Sequence, residues 1–226
     1  MLIESSPGQE AARAFVRLRY RFAKLIYDGI FGIIVRAGSW QEELFASLAP
    51  GPGDRILDFG LGNSFSSISL ALRYPEAQVV ELEASREAAG TVQLKAIRNH
   101  TRNLSIVVAP LHGSLPFYAG SFDLVVCRLG LHDFPPKEKL AIVKEIARVI
   151  RRGGTFYVAD FDKAEGPGEG SILELARRIS GPAAVAAHMD GSWTEFLAMG
   201  GFASVRRQSS HSIGFGRVSV VRARKR

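Results

Sequence analysis

The sequence predicts an α/β domain built on a doubly wound, mostly parallel sheet, and three observations carry that prediction. Short apolar runs rich in β-branched residues recur near 55–59, 78–83, 104–108, 122–127 and 154–160. Helical-period segments separate them near 64–73, 85–99 and 137–151, an alternation that belongs to βαβ units and not to hairpins. The first strand ends in Asp58 and enters Gly60-Leu61-Gly62, a turn whose glycines let backbone approach a nucleoside ligand closely.

The N-terminal segment comes first in the chain. Over 11–28, Arg13, Arg17, Arg21 and Lys24 share one helical face, while Phe15, Leu18, Phe22, Leu25 and Ile26 share the opposite one, with Tyr27 at the apolar edge. This is a basic amphipathic helix, suited to covering the domain as a lid or to docking on anionic lipid. Ile30 to Val35 is apolar but too short to span a bilayer.

The glycine loop separates cofactor classes. Dinucleotide sites want Gly-x-Gly-x-x-Gly, and this chain has Phe65 in the last position. The sequence contains no Gly-x-x-x-x-Gly-Lys-Ser/Thr, which argues against a P-loop. Ser64 is small and can cap the helix that follows.

The next strand, Gln78 to Glu83, leads into Ala84-Ser85. An acid at this strand end can accept both hydroxyls of a ribose; Glu81 and Glu83 share a face at period two, and Glu83 lies nearer the end. The strand near 122–127 runs into Cys127-Arg128-Leu129 and then His132-Asp133-Phe134-Pro135-Pro136. Cys127, in an apolar strand, reads as a packed thiol. Residues 161–192 hold a Gly/Pro-rich loop and a helix around 172–179, and Trp193, Phe196 and Met199 share a helical face that reads as core packing. Two terminal strands, near 202–209 and 217–224, close the chain.

Composition bounds the function. With 226 residues, 46% of them hydrophobic, the chain suits one domain with a sizeable core. A single cysteine excludes an internal disulfide and suits a reducing cytoplasm, and no Cys/His cluster has metal-ligand spacing. Neither a signal peptide nor a membrane span is read, so the expected location is cytoplasmic, with peripheral contact at an inner membrane surface. A net charge of +7 calls for acidic partners or surfaces. Nucleic acid is the less favoured partner, because no aromatic-interleaved RNA-binding motif or zinc finger accompanies the charge.

Taken in order, Ile56-Leu57-Asp58-Phe59-Gly60-Leu61-Gly62, Tyr74 to Ser85, Leu115-Pro116-Phe117 with Ser121 to Val126, and Glu145 to Val158 resemble the motifs of the class I S-adenosylmethionine-dependent methyltransferases over roughly residues 40–225. The resemblance implies a Rossmann-like seven-stranded sheet of order 3-2-1-4-5-7-6 with the seventh strand antiparallel. It implies an N-terminal helical extension over 1–45 and a methyltransferase domain over 46–226, with an acceptor-side insertion at about 161–192. S-adenosylmethionine would be the cofactor and S-adenosylhomocysteine the product. The cofactor-binding residues would be Asp58, Gly60, Gly62, Ser64, Glu83, Ala84, His112, Cys127, Arg128 and Leu129. The loop Ala109 to Ser114 has no carboxylate where many relatives place one against adenine, which leaves His112 or backbone groups for that contact.

The likeness is nearest to small methyltransferases of quinone and phospholipid head-group biosynthesis, through Tyr27-Asp28 and the 145–150 helix. Arg36-Ala37-Gly38-Ser39-Trp40 departs from the quinone C-methyltransferase pattern. The expected activity is methyl transfer by in-line displacement to a lipophilic small molecule; an RNA methyltransferase and a non-catalytic S-adenosylmethionine-binding module are the alternatives. Positioning alone accounts for roughly 7–11 kcal/mol of barrier reduction in such reactions. Where the acceptor must lose a proton, the candidate bases are His132, Tyr27 and Asp160. The competing role for His132 is to position its own loop. The sequence gives no oligomeric state.

Overall fold

A computed structural model describes residues 39–59, 65–111 and 113–226. The amphipathic segment 11–28 with Tyr27, the loop residues Gly60, Gly62 and Ser64, and His112 lie outside the described residues.

Seven strands form one sheet in the order β3-β2-β1-β4-β5-β7-β6. They are β1 Arg55–Phe59, β2 Gln78–Glu83, β3 Leu104–Val108, β4 Phe122–Arg128, β5 Ile150–Phe161, β6 Phe202–Ser212 and β7 Arg217–Lys225. The first five run parallel, while β7 is antiparallel to both β5 and β6. The strand order and the antiparallel seventh strand are those the resemblance implies.

The central strands are buried on both faces, which is why they read as continuous apolar runs and not as alternating ones. On one face Ile56, Val79, Leu124, Val126 and Tyr157 pack against α1 (Ser39–Ser47), α2 (Phe65–Arg73) and, later in the chain, the helix Ser171–Ser180. On the other, Leu57, Phe59, Val80, Val125, Cys127 and Phe156 meet the helix Pro136–Val149 together with Trp193 and Leu197. Between β2 and β3 runs α3 (Arg86–Arg98), whose N-cap Ser85 accepts a hydrogen bond from Ala88 N at 3.1 Å. The helix Pro136–Val149 is α4, Ser171–Ser180 is α5, Pro182–Asp190 is α6 and Glu195–Met199 is α7.

Four features differ from the sequence expectation or refine it. The fifth strand starts at Ile150, not 154, because β5 absorbs a bulge: Phe122 pairs with Ile150, but Leu124 pairs with Thr155. Gly153 takes φ +74°, and a Cβ on Gly154 would lie 2.6 Å from Ile150 Cγ2 and 2.7 Å from the Asp123 carbonyl, so both glycines are needed for the strand to return to register. Helix α6 is additional; its run Pro-Ala-Ala-Val-Ala-Ala carries little periodicity to announce it. Met199 is a correction, since it is 60% exposed and Leu197 fills the core instead. The four-residue step from 193 to 197 is the helical repeat that faces the sheet, and Met199 falls half a turn away. Finally, α1 straddles residue 45, the expected end of the extension, and Trp40, Leu44 and Phe45 are part of the domain core.

Candidate active site

The carboxyl ends of β1, β2 and β4 converge, as expected for a ligand crevice in a doubly wound sheet. Asp58 comes from β1, Glu81 and Glu83 from β2, and Arg128 from β4, with Asp58 in register with Glu81 and, on its other side, with Val126. All four sit on the face shared with Ile56 and Val79, and all are buried. Ser67 of α2 donates its hydroxyl to Glu81 Oε2. Burial, reinforced by the Asp58 charge, pushes Glu81 up to about 8; burial likewise raises Glu83. Burial lowers Arg128, against the opposing pull of Asp58.

Glu83 carries the observation most relevant to a ligand. Its Oε1 is buried and has no hydrogen-bond partner among the described residues. An unpaired buried acceptor costs about 1–3 kcal/mol, and a ribose diol would satisfy it. The geometry of this strand end therefore fits a nucleoside. Ala84 behind it is exposed and hands the chain to the Ser85 cap.

The 127–129 loop splits between faces. Cys127 points into the opposite apolar cluster, and burial raises its thiol well above the usual range, so it is a core thiol. The Arg128 guanidinium lies 5.9 Å from the Phe45 ring centroid. Leu129 adopts φ +47°, a left-handed conformation that a leucine holds only where its surroundings impose it. Its N–H donates to the Ala159 carbonyl at 2.7 Å, and its side chain is buried.

His132 and Asp160 meet as a fully buried pair, with Nδ1 2.6 Å from Oδ1. Asp160 Oδ2 accepts the N–H groups of Gly130, Leu131 and His132 at 3.2, 2.7 and 3.3 Å, and Oδ1 also accepts Phe161 N at 2.8 Å. Burial opposes its charge, yet His132 and these donors hold its carboxyl far below the usual range. A carboxylate so occupied anchors the 130–132 turn and is a poor proton acceptor, which corrects its candidacy as a base. His132 is protonated more readily than usual because Asp160 outweighs its burial, and its ring packs 4.7 Å from that of Phe161. The His132 ring is thus tied, through Asp160, to the backbone of its own loop.

The sequence reading passed over three neighbours. Asp133 is 38% exposed, lies 3.6 Å from His132 Nε2, and accepts Ser180 Oγ of α5 at 2.6 Å. Lys139 is buried, donates to the Ala184 carbonyl at 2.9 Å, and is lowered to about 8 by burial. His188 of α6 bonds the Phe161 carbonyl at 2.7 Å and stacks on Trp193 with centroids 5.2 Å apart. These links pin α5 and α6 over the end of β5. Pairing of side chains from such distant segments leaves no local spacing in the sequence by which to find it.

Residues 57–158 match the family model described as a methyltransferase domain. The chain is 29% identical over 145 residues to an uncharacterized methyltransferase of Synechocystis, covering 61% of this chain and 65% of that protein. It is 27% identical over 230 residues to the ubiquinone/menaquinone biosynthesis C-methyltransferase UbiE of Rhizobium etli, covering 94% of this chain and 85% of that one. The structure of PigF with S-adenosylhomocysteine has the same fold at a TM-score of 0.64 and 19% identity, covering 91% of this chain and 67% of the other. Sheet order, matched domain and length-wide sequence kinship agree, and the chain is similar to S-adenosylmethionine-dependent methyltransferases in both fold and sequence.

Proposed function

We propose that the chain methylates a lipophilic aromatic acceptor of the quinone-precursor type. The observation that carries this reading is the kinship with UbiE proteins over 94% of the chain, which reaches into the N-terminal extension beyond the matched domain. S-adenosylmethionine supplies an electrophilic methyl group on a sulfonium. In this reading Glu83 takes the ribose hydroxyls, Asp58 and Arg128 fix the strand ends beneath the cofactor, and Gly60, Gly62 and Ser64 supply the close backbone approach. Ala84 and Leu129 wall the nucleoside, Cys127 backs the loop from the core, and His112 or nearby backbone meets the adenine.

The acceptor side is built from the 130–133 turn, α5 and α6. Asp160 holds His132, and His132 holds the turn that carries Asp133. The exposed Asp133 carboxylate is the group on this turn able to take a proton from a phenol or an activated ring carbon, with Tyr27 as the candidate from the extension. Holding acceptor and methyl in line is worth roughly 7–11 kcal/mol without any covalent step.

No helix among the described residues is long and apolar enough to cross a membrane. A lipophilic acceptor partitions into bilayers, and the basic face of residues 11–28 is suited to meet an anionic surface there.

The experiment is incubation with methyl-labelled S-adenosylmethionine and either a cell extract or a reduced, ring-unmethylated naphthoquinone. Label is expected in the lipid fraction and on the quinone. Label confined to RNA would overturn the proposal in favour of an RNA methyltransferase, and tight cofactor binding with no label in any fraction would favour a non-catalytic module.

A further inference from the structure

Glu81 is the buried acid that the cofactor reading leaves without a task. It is 1% exposed, shares a face with Glu83 two residues on, and stands opposite Asp58 in the parallel ladder. Its carboxyl group and that of Glu83 are neighbours on one buried strand face, close enough to interact. Two buried carboxyl groups side by side are held together by a proton on one of them, since two carboxylates only accept hydrogen bonds and repel. The Ser67 hydroxyl donates to Glu81 Oε2, which leaves the other Glu81 oxygen to carry the proton and Glu83 to accept it. Glu83 Oε1 then remains as the buried acceptor with no partner among the described residues.

We propose that Glu81 is a positioning residue for cofactor binding: as the protonated member of the pair it holds the Glu83 carboxylate in place for the ribose hydroxyls and makes nucleoside affinity fall at alkaline pH. The proposal rests on Glu83 being the ribose acid.

The surroundings favour this division of labour. The charged groups facing Glu81 are Asp58 from β1, Glu83 on its own strand and Arg128 from β4. From β3 it meets Ile106 in register, from α2 the Ser67 hydroxyl, and the buried residues of α3 are Ala89 and Val92. The glycine loop 60–64 contains no titratable side chain. Three acids therefore face one guanidinium, and a proton on Glu81 removes one of the two negative charges that Arg128 does not balance. Burial and then Asp58 raise its pKa to about 8. Below that pH the proton is in place; above it the two carboxylates repel and the Glu83 group turns from its bound orientation.

The test is calorimetry with 5′-methylthioadenosine, which has the ribose but no amino acid group to titrate, from roughly pH 6.5 to pH 9.5. Affinity of the unaltered protein is expected to fall about tenfold across that range, the loss of one charged hydrogen bond. Glu81→Gln replaces the O–H donor by an N–H donor, so it should bind within about twofold of wild type at the acid end and show no fall. Ser67→Ala removes the donor that favours the ionised acid, and its midpoint should move to higher pH. A flat wild-type profile, or a Glu81→Gln profile as steep as wild type, would overturn the proposal. Glu83→Ala separates the two levels: unchanged binding overturns the ribose assignment along with this inference, whereas lost binding with a steep Glu81→Gln profile overturns this inference alone.

Discussion

The His132 imidazole and the Asp160 carboxylate lie 2.6 Å apart with neither side chain exposed. Asp160 also gathers four backbone N–H groups, so removing it leaves a buried imidazole without its partner and a turn without acceptors. Asp160→Ala should cost about 3–5 kcal/mol in urea unfolding, with the 130–132 turn losing hydrogen-exchange protection first. The depressed Asp160 contributes stability that is present above roughly pH 4 and lost as the pH falls toward its folded value. The raised His132 contributes stability that is complete below roughly pH 6.5 and lost as the pH rises through its folded value. His132→Gln should therefore flatten the alkaline limb of the stability profile. An unchanged limb would show that His132 is not the ionising partner.

For the cofactor, Glu83→Ala should weaken S-adenosylhomocysteine by roughly ten- to a hundredfold, since a hydrogen bond to a charged group contributes about 1.5–3 kcal/mol. Thermal stability should hold or rise, because the replacement removes one of the buried acids facing Arg128. Affinity unchanged in calorimetry would move the ribose contact elsewhere.

Much of this arrangement was legible in the sequence for a physical reason. A parallel sheet covered on both faces must be apolar at every position, so runs such as Leu124-Val125-Val126 mark their strands directly, and Glu83 stands out as an acid where such a run ends. What escaped were properties that belong to pairs. Glu81 looked like a rival to Glu83, and its register with Asp58 and its bond from the Ser67 hydroxyl cannot be read from the strand alone. His132 read as either a candidate base or a histidine that positions its loop, because nothing local shows that Asp160, 28 residues away, pairs with it. Met199 and Leu197 were exchanged because the buried face follows the four-residue step from Trp193 to Leu197, whereas the sequence equally allows the three-residue steps through Phe196 to Met199.

Lys139 offers a second test of a buried charge. Burial lowers it to about 8 although Asp160 and Asp133 pull the other way. The unfolded chain, with its lysine near 10.4, binds more protons between those values, so this group adds stability as the pH climbs through that window. Lys139→Met removes that slope and leaves the Ala184 carbonyl without its donor, a loss of roughly 1–3 kcal/mol. The difference between wild type and variant should therefore widen from neutral to alkaline pH in parallel urea titrations. A constant difference would mean that the ammonium is fully solvated.

Two glycines should respond to alanine in opposite directions. Gly154 sits in the β5 bulge, where a methyl group would press within 2.7 Å of the Asp123 carbonyl, a backbone atom that cannot swing aside. Gly154→Ala should cost about 1–3 kcal/mol, the usual result of forcing an extra carbon into packed structure. Gly90 lies inside α3, and an added Cβ there meets nothing within 4 Å. Its glycine serves no turn, so Gly90→Ala should raise stability by about 0.5–1 kcal/mol through the smaller entropy loss of alanine in a helix. Both variants leave the buried acids and the 130–133 turn untouched. S-adenosylhomocysteine affinity measured under conditions where each is fully folded should accordingly match wild type, and a large change in Gly154→Ala would show that the bulge transmits its register to the end of β4.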